Sequence, residues 1–102
     1  HLKTVDIGGV VEIGTSAFEY CQNLSLIKLG TNLHRIGISS FSSCIRLEKI
    51  SLPNSVIEID KYSFCGCNNL YEVELPNNLE FIHEGAFAYC TRLFRFELTN
   101  KK

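Results

Sequence analysis

The 102-residue chain carries ten basic and eleven acidic residues, a formal charge of -1, and this near-neutrality argues against a nucleic-acid or membrane-surface role. Hydrophobic residues make up 45% and charged residues 21%, the balance of a chain that buries a core. No apolar run approaches the roughly 18–20 residues that cross a bilayer as a helix, so no membrane insertion by this segment is expected.

The chain begins His1-Leu2-Lys3 and reads as a piece of something longer. Val5-x-Ile7 is the first extended segment, and Gly8-Gly9 turns it toward Val10 and Ile13. Phe18 and Cys21 follow, and from here the pattern recurs every 23 residues. Ile13, Ile36, Ile59 and Ile82 form one column, and Phe18, Phe41, Phe64 and Phe87 another. Cys21, Cys44, Cys67 and Cys90 keep the same step, as do Leu24, Leu47, Leu70 and Leu93, and Val10, Leu33, Val56 and Leu79. A unit this short cannot bury its own apolar face, so identical units must stack and share one core along the stack.

Within each unit, Ile27-Lys28-Leu29, Ile50-Ser51-Leu52, Val73-Glu74-Leu75 and Phe96-Glu97-Leu98 alternate as half-buried strands do. Pro53 and Pro76 follow at once, where a missing N–H can end a strand. The Ala/Ser-Phe-x-x-Cys stretch is too short for a full helix and predicts one helical or 3₁₀ turn. Gly14, Gly37, Asp60 and His83 share a column and a tolerance for positive φ, which predicts a left-handed residue there.

Leu70-x-x-Val73-x-Leu75 resembles the L-x-x-L-x-L core of leucine-rich repeats. The whole unit is similar to the BspA-like type, whose repeats read approximately L-P-x-S-V-x-x-I-G-x-x-A-F-x-x-C-x-x-L. The departures are few: Gly30 and Thr99 stand for Pro, Asp60 and His83 for Gly, and Ser40 and Ser63 for Ala. The resemblance implies a β-rich, right-handed leucine-rich-repeat solenoid of about four and a half repeats in a single domain, 1–102. The repeats fall approximately at 2–23, 24–46, 47–69 and 70–92, with a partial one at 93–102. It also implies protein binding or adhesion, by repeats common in microbial surface proteins, at the cell surface or in secreted form.

No chemistry-bearing cluster interrupts the columns. Cysteines placed one per rung form a line, which cannot build a tetrahedral metal site, and they read as small buried hydrophobes. Cys65 is the odd fifth and is expected near solvent. His34 and His83 occupy different columns and are expected at the surface. No metal, cofactor or catalytic arrangement is predicted, and the chain reads as non-enzymatic.

Two surfaces remain. The outward strand face carries Lys49, Glu72 and Arg95 in one column and Lys28, Glu74 and Glu97 in the next. Opposite charges at 49, 72 and 95 should pair across strands, whereas Glu74 and Glu97 are adjacent and alike. In leucine-rich repeats this face is the usual binding surface, so these six residues are the first candidate for contacting another protein. The second surface is aromatic. Phe81 stands where earlier units carry Glu12, Arg35 and Glu58, and Tyr71 and Phe94 replace Ser25 and Glu48. With Tyr89, these residues suggest an interface through which the chain docks as a structural subunit.

Overall fold

The computed structural model describes residues 3–98, so Thr99 lies outside the described residues. Nine short strands follow one another: β1 Lys3–Ile7, β2 Glu12–Ile13, β3 Leu24–Leu29, β4 Arg35–Ile36, β5 Lys49–Ser51, β6 Glu58–Ile59, β7 Glu72–Leu75, β8 Phe81–Ile82 and β9 Arg95–Leu98. Every pairing is parallel and joins a strand to its equivalent one unit on, as Glu58↔Phe81 and Ile50↔Val73 show. The chain is therefore a parallel β-solenoid of about four turns, with no helix among the described residues. Odd-numbered strands form the long face, even-numbered strands a continuous four-stranded second face, and turns close the third side.

The repeat columns are the core. Leu33, Ile36, Phe41, Leu47, Val56, Ile59, Phe64 and Leu70 are completely buried. Phe18, Phe41, Phe64 and Phe87 stack in a spine, with ring centroids 5.2, 5.1 and 5.2 Å apart and planes within 7° of parallel. The rung repeat imposes that spacing, which lies inside the attractive range for offset aromatic pairs. The last rung is less covered. Ile82 is 46% exposed where Ile36 and Ile59 are fully buried, and Phe96 is 45% exposed where Val73 is buried.

Two local expectations are corrected. The left-handed residues are not in the Gly14, Gly37, Asp60, His83 column. Positive φ falls two residues later, at Ser16, Ser39, Tyr62 and Gly85, and again at Tyr20, Ser43, Gly66 and Tyr89. Each is the third residue of a turn closed by an i+3 bond, as in Ala17 N–H to the Gly14 carbonyl and Cys21 N–H to the Phe18 carbonyl. The expected helical turn is absent for the same reason. Along Ser16 to Cys21, alternate N–H groups bond within the rung and to the next rung, the latter from Ser16 to Ile38, Phe18 to Ser40 and Tyr20 to Ser42. A helix would spend all of these donors inside one rung and leave the stack unbonded on this side.

Glycine at 37 answers to space instead: a Cβ there would collide with the Ile13 carbonyl oxygen. Gly30 replaces proline for a related reason. The shortened Gly8-Gly9 turn of the first rung packs so closely that a Cβ at Gly30 would meet the Gly8 Cα at 2.8 Å.

Candidate functional site

The long face is not continuous. β1 pairs with β3, and β5 with β7 and then β9, but no ladder pair joins β3 to β5 among the described residues. The two rungs stay bonded on the other sides, through Ile36↔Ile59 and through the Phe41 N–H to the Ser63 carbonyl at 2.7 Å. The ladder is interrupted on the strand face alone, and a shallow groove of about 520 Å³ lies across it. Leu26, Leu29 and Pro53 supply apolar lining, and Lys28, Lys49, Glu72 and Glu74 supply charge.

Four of the six strand-face candidates thus line one depression, and the other two stand beside it on β9. Arg95 reaches Glu72 at 3.8 Å across the ladder, and Glu97 is in register with Glu74. The Lys49 ammonium lies over the Tyr71 ring, 6.0 Å from its centroid. A hydrophobic residue, Leu26, occupies the column of Lys49, Glu72 and Arg95 and is 45% exposed.

The four aromatic candidates divide. Tyr71 and Phe94 stack at 5.8 Å and line a smaller cleft with Glu48, Asn69 and Arg92. Phe81 lies on the second face, where its ring stacks at 6.0 Å on His83 rather than on Tyr71 or Phe94. Tyr89 stands in the turn side with positive φ, and like Phe94 it is 76% exposed.

The second face carries a charge network that reasoning by single columns misses. Arg35 pairs with Glu12 at 2.6 Å, with Glu58 at 3.2 Å and with Asp60. His83 Nε2 lies 2.7 Å from Glu58 Oε2, so this histidine is half-buried and partnered rather than simply surface-placed. The signal was present in the sequence: residues i and i+2 of an extended segment share a face, which joins Asp60 to Glu58 and His83 to Phe81. Burial alone would raise the Asp60 pKa, but the Lys61 N–H and the Arg35 guanidinium outweigh it and hold the carboxyl below its ordinary value. Hydrogen bonding to Glu12 leads the effects that raise Arg35. Ligand-type atoms of Glu58, Asp60 and His83 lie within 4.8 Å of one another, yet the Arg35 guanidinium already bonds both carboxylates as a fixed cation.

All five cysteines are free thiols. Cys44 and Cys67 are buried, while Cys21, Cys65 and Cys90 are half-buried. Burial pushes the Cys44 thiol up to about 12 and Cys90 up to about 11, and raises Cys67 as well.

A parallel solenoid with a leucine-type column pattern, a phenylalanine spine and a charged strand face defines a leucine-rich-repeat protein. The chain belongs to the BspA type leucine rich repeat region family, whose pattern it matches over residues 1–102 in six copies. Repeats of this family are generally protein-interaction modules. A leucine-rich repeat protein from Bacteroides ovatus is 37% identical, superimposes with a TM-score of 0.89 and is matched over 93% of this chain. A leucine rich cell surface protein from Faecalibacterium prausnitzii is 25% identical, with a TM-score of 0.81 over 97% of this chain. The chain spans 24% of the length of the first and 32% of the second. No curated protein matches it.

Proposed function

We propose that the chain is a non-enzymatic protein-recognition module that binds through its strand face, in adhesion or ligand capture at the cell surface or in secreted form. The observation that carries this reading is the groove at the β3–β5 opening, where Lys28, Lys49, Glu72 and Glu74 surround exposed Leu26 and half-buried Leu29 and Pro53. The cell-surface description of the Faecalibacterium relative supports the location. A random peptide display library selected on the protein tests the reading. Enriched peptides should lose binding to Lys49→Glu and Glu72→Lys variants that melt like the parent, and enrichment indifferent to both substitutions contradicts it.

Exposure of Phe81, Tyr89 and Phe94 on the last rung favours a second reading, in which the chain docks as a structural subunit. In that case sedimentation shows self-association or complex formation that Phe81→Ser or Phe94→Ser abolishes and Lys49→Glu leaves intact. Loss of association with Lys49→Glu alone contradicts it.

A further inference from the structure

Immediately before β5, β7 and β9 stand Glu48, Tyr71 and Phe94, one per rung, and Arg46, Asn69 and Arg92 run beside them two residues earlier. Between the two columns lies a cleft of about 300 Å³, lined by Glu48, Asn69, Tyr71, Arg92 and Phe94. It shares Glu48 and Asn69 with a hollow of about 450 Å³ that continues to Arg46 and Ser25. Together they form a furrow along the stack, at the shoulder where the turn side meets the long face. No residue of the strand-face groove lines it.

The furrow has an aromatic part and a polar part. The Tyr71 and Phe94 rings lie 18° from parallel with centroids 5.8 Å apart, an offset that leaves part of each face uncovered. Phe94 is 76% exposed. The polar groups are held in place by the stack. Asn69 Nδ2 donates to the Ile45 carbonyl at 2.7 Å, and its Oδ1 accepts from the Arg92 guanidinium at 3.1 Å. Arg92 spends one N–H there and keeps further donors for a ligand, while Glu48 presents an exposed acceptor. The backbone donors are spent as well. The Tyr71 and Glu72 N–H groups both bond the Glu48 carbonyl, and those of Phe94 and Arg95 bond the Tyr71 carbonyl. A peptide adding itself as a strand would find no N–H to pair with here.

An aromatic surface rimmed by amide, carboxylate and guanidinium groups matches the chemistry of a sugar ring. One face of a pyranose is lined with C–H bonds, which suit the negative face of an aromatic ring. Its rim of hydroxyls both donates and accepts. A volume near 300 Å³ is also the small end of ligand sites, rather than the footprint of a protein. Independently of the strand-face reading, we infer that this furrow binds an oligosaccharide lying along the stack. One sugar packs on Tyr71 and Phe94, its hydroxyls donating to Glu48 and accepting from Arg92, and the chain continues toward Arg46.

An array of neutral and acidic oligosaccharides, probed with the intact chain biotinylated at its amino terminus and tetramerised on streptavidin, tests this. Some glycans should be retained, and Phe94→Ala and Arg92→Gln should each weaken retention about tenfold or more. Both residues are exposed, so these variants should melt like the parent, and Lys28→Glu in the strand-face groove should bind as the parent does. Retention of no glycan overturns the inference. Retention of acidic glycans alone, lost in Arg92→Gln but unchanged in Phe94→Ala, also overturns it, because charge then suffices. So does the absence of glycan binding together with a self-association that Phe94→Ala abolishes, which assigns the aromatic pair to docking.

Discussion

The Cys67 thiol donates to the Phe41 carbonyl one rung back, at a distance of 3.1 Å. Cys44 makes the same bond to Phe18 at 3.2 Å and Cys90 to Phe64 at 3.1 Å. The cysteine column is thus more than filler: a small apolar side chain that also offers a weak donor ties each rung to the phenylalanine spine of the rung before. These thiols make stability depend on pH in a definite direction. Above about pH 9 an unfolded cysteine releases its proton, while native Cys44, Cys67 and Cys90 hold theirs, pushed up to about 12 at Cys44 and about 11 at Cys90. The native state then binds more protons than the unfolded state, so stability falls as pH rises through this window, by up to about 1.4 kcal/mol per unit for each thiol. Urea midpoints should drop between pH 8 and pH 10, and less steeply in Cys90→Ala. Parallel slopes in the two proteins would contradict the assignment.

The same burial orders the thiols by reactivity. Cys65 is half-buried in a column otherwise held by Glu19, Ser42 and Ala88, and it lies outside the line of thiols bonded to the spine. A thiol reagent at pH 8 should modify Cys65 well before Cys44 and Cys67, because the thiolate is the reacting form. Mass mapping of the partly labelled native protein reads the order. Modification of Cys44 or Cys67 first would overturn it.

Removing the Arg35 guanidinium takes a partner from three carboxylates, of which Asp60 is the buried one and Glu58 keeps His83. Arg35→Met leaves buried Asp60 and half-buried Glu58 without the guanidinium and should destabilise by about 1–3 kcal/mol. Because the folded pKa of Asp60 is depressed, its contribution is present above the unfolded carboxyl value near 4 and is lost as pH falls through the lower folded value. Acid titration of Asp60→Asn should therefore show a smaller loss of stability below pH 4 than the parent. An acid limb as steep as the parent's would show that Asp60 does not carry the effect.

Ser63 is fully buried and its hydroxyl has no hydrogen-bond partner among the described residues. Ala17 and Ala86 hold the same position in other rungs, so alanine fits the space. Ser63→Ala should raise stability by about 1 kcal/mol, the scale of an unsatisfied buried hydroxyl. A loss of that size on thermal or urea unfolding would mean that the hydroxyl has a partner.

What the sequence made legible is what the 23-residue step controls. Ile36, Ile59, Phe41 and Phe64 could be assigned to a stacked core because a column repeated without slip leaves them only one place to go. The left-handed residues could not be read this way. Ser16, Ser39 and Tyr62 carry no preference for positive φ, and their conformation comes from turns whose donors the next rung claims. The opening between β3 and β5 was equally hidden, since Ile27 and Ile50 alternate as Ile50 and Val73 do, yet only the second pair is joined in a ladder. The strand-face candidates were therefore visible as columns of charge, whereas the groove that gathers Lys28, Lys49, Glu72 and Glu74 belongs to the three-dimensional arrangement.

Backbone hydrogen exchange, with and without a peptide selected on the protein, tests the central claim most directly. If the strand face is the recognition surface, exchange slows at residues 26–29, 49–52 and 72–75 and is unchanged at Phe81 and Ile82. Slowing confined to Phe81, Ile82 and the Phe94 region, with the strands around the groove untouched, would contradict it and move the contact to the aromatic end.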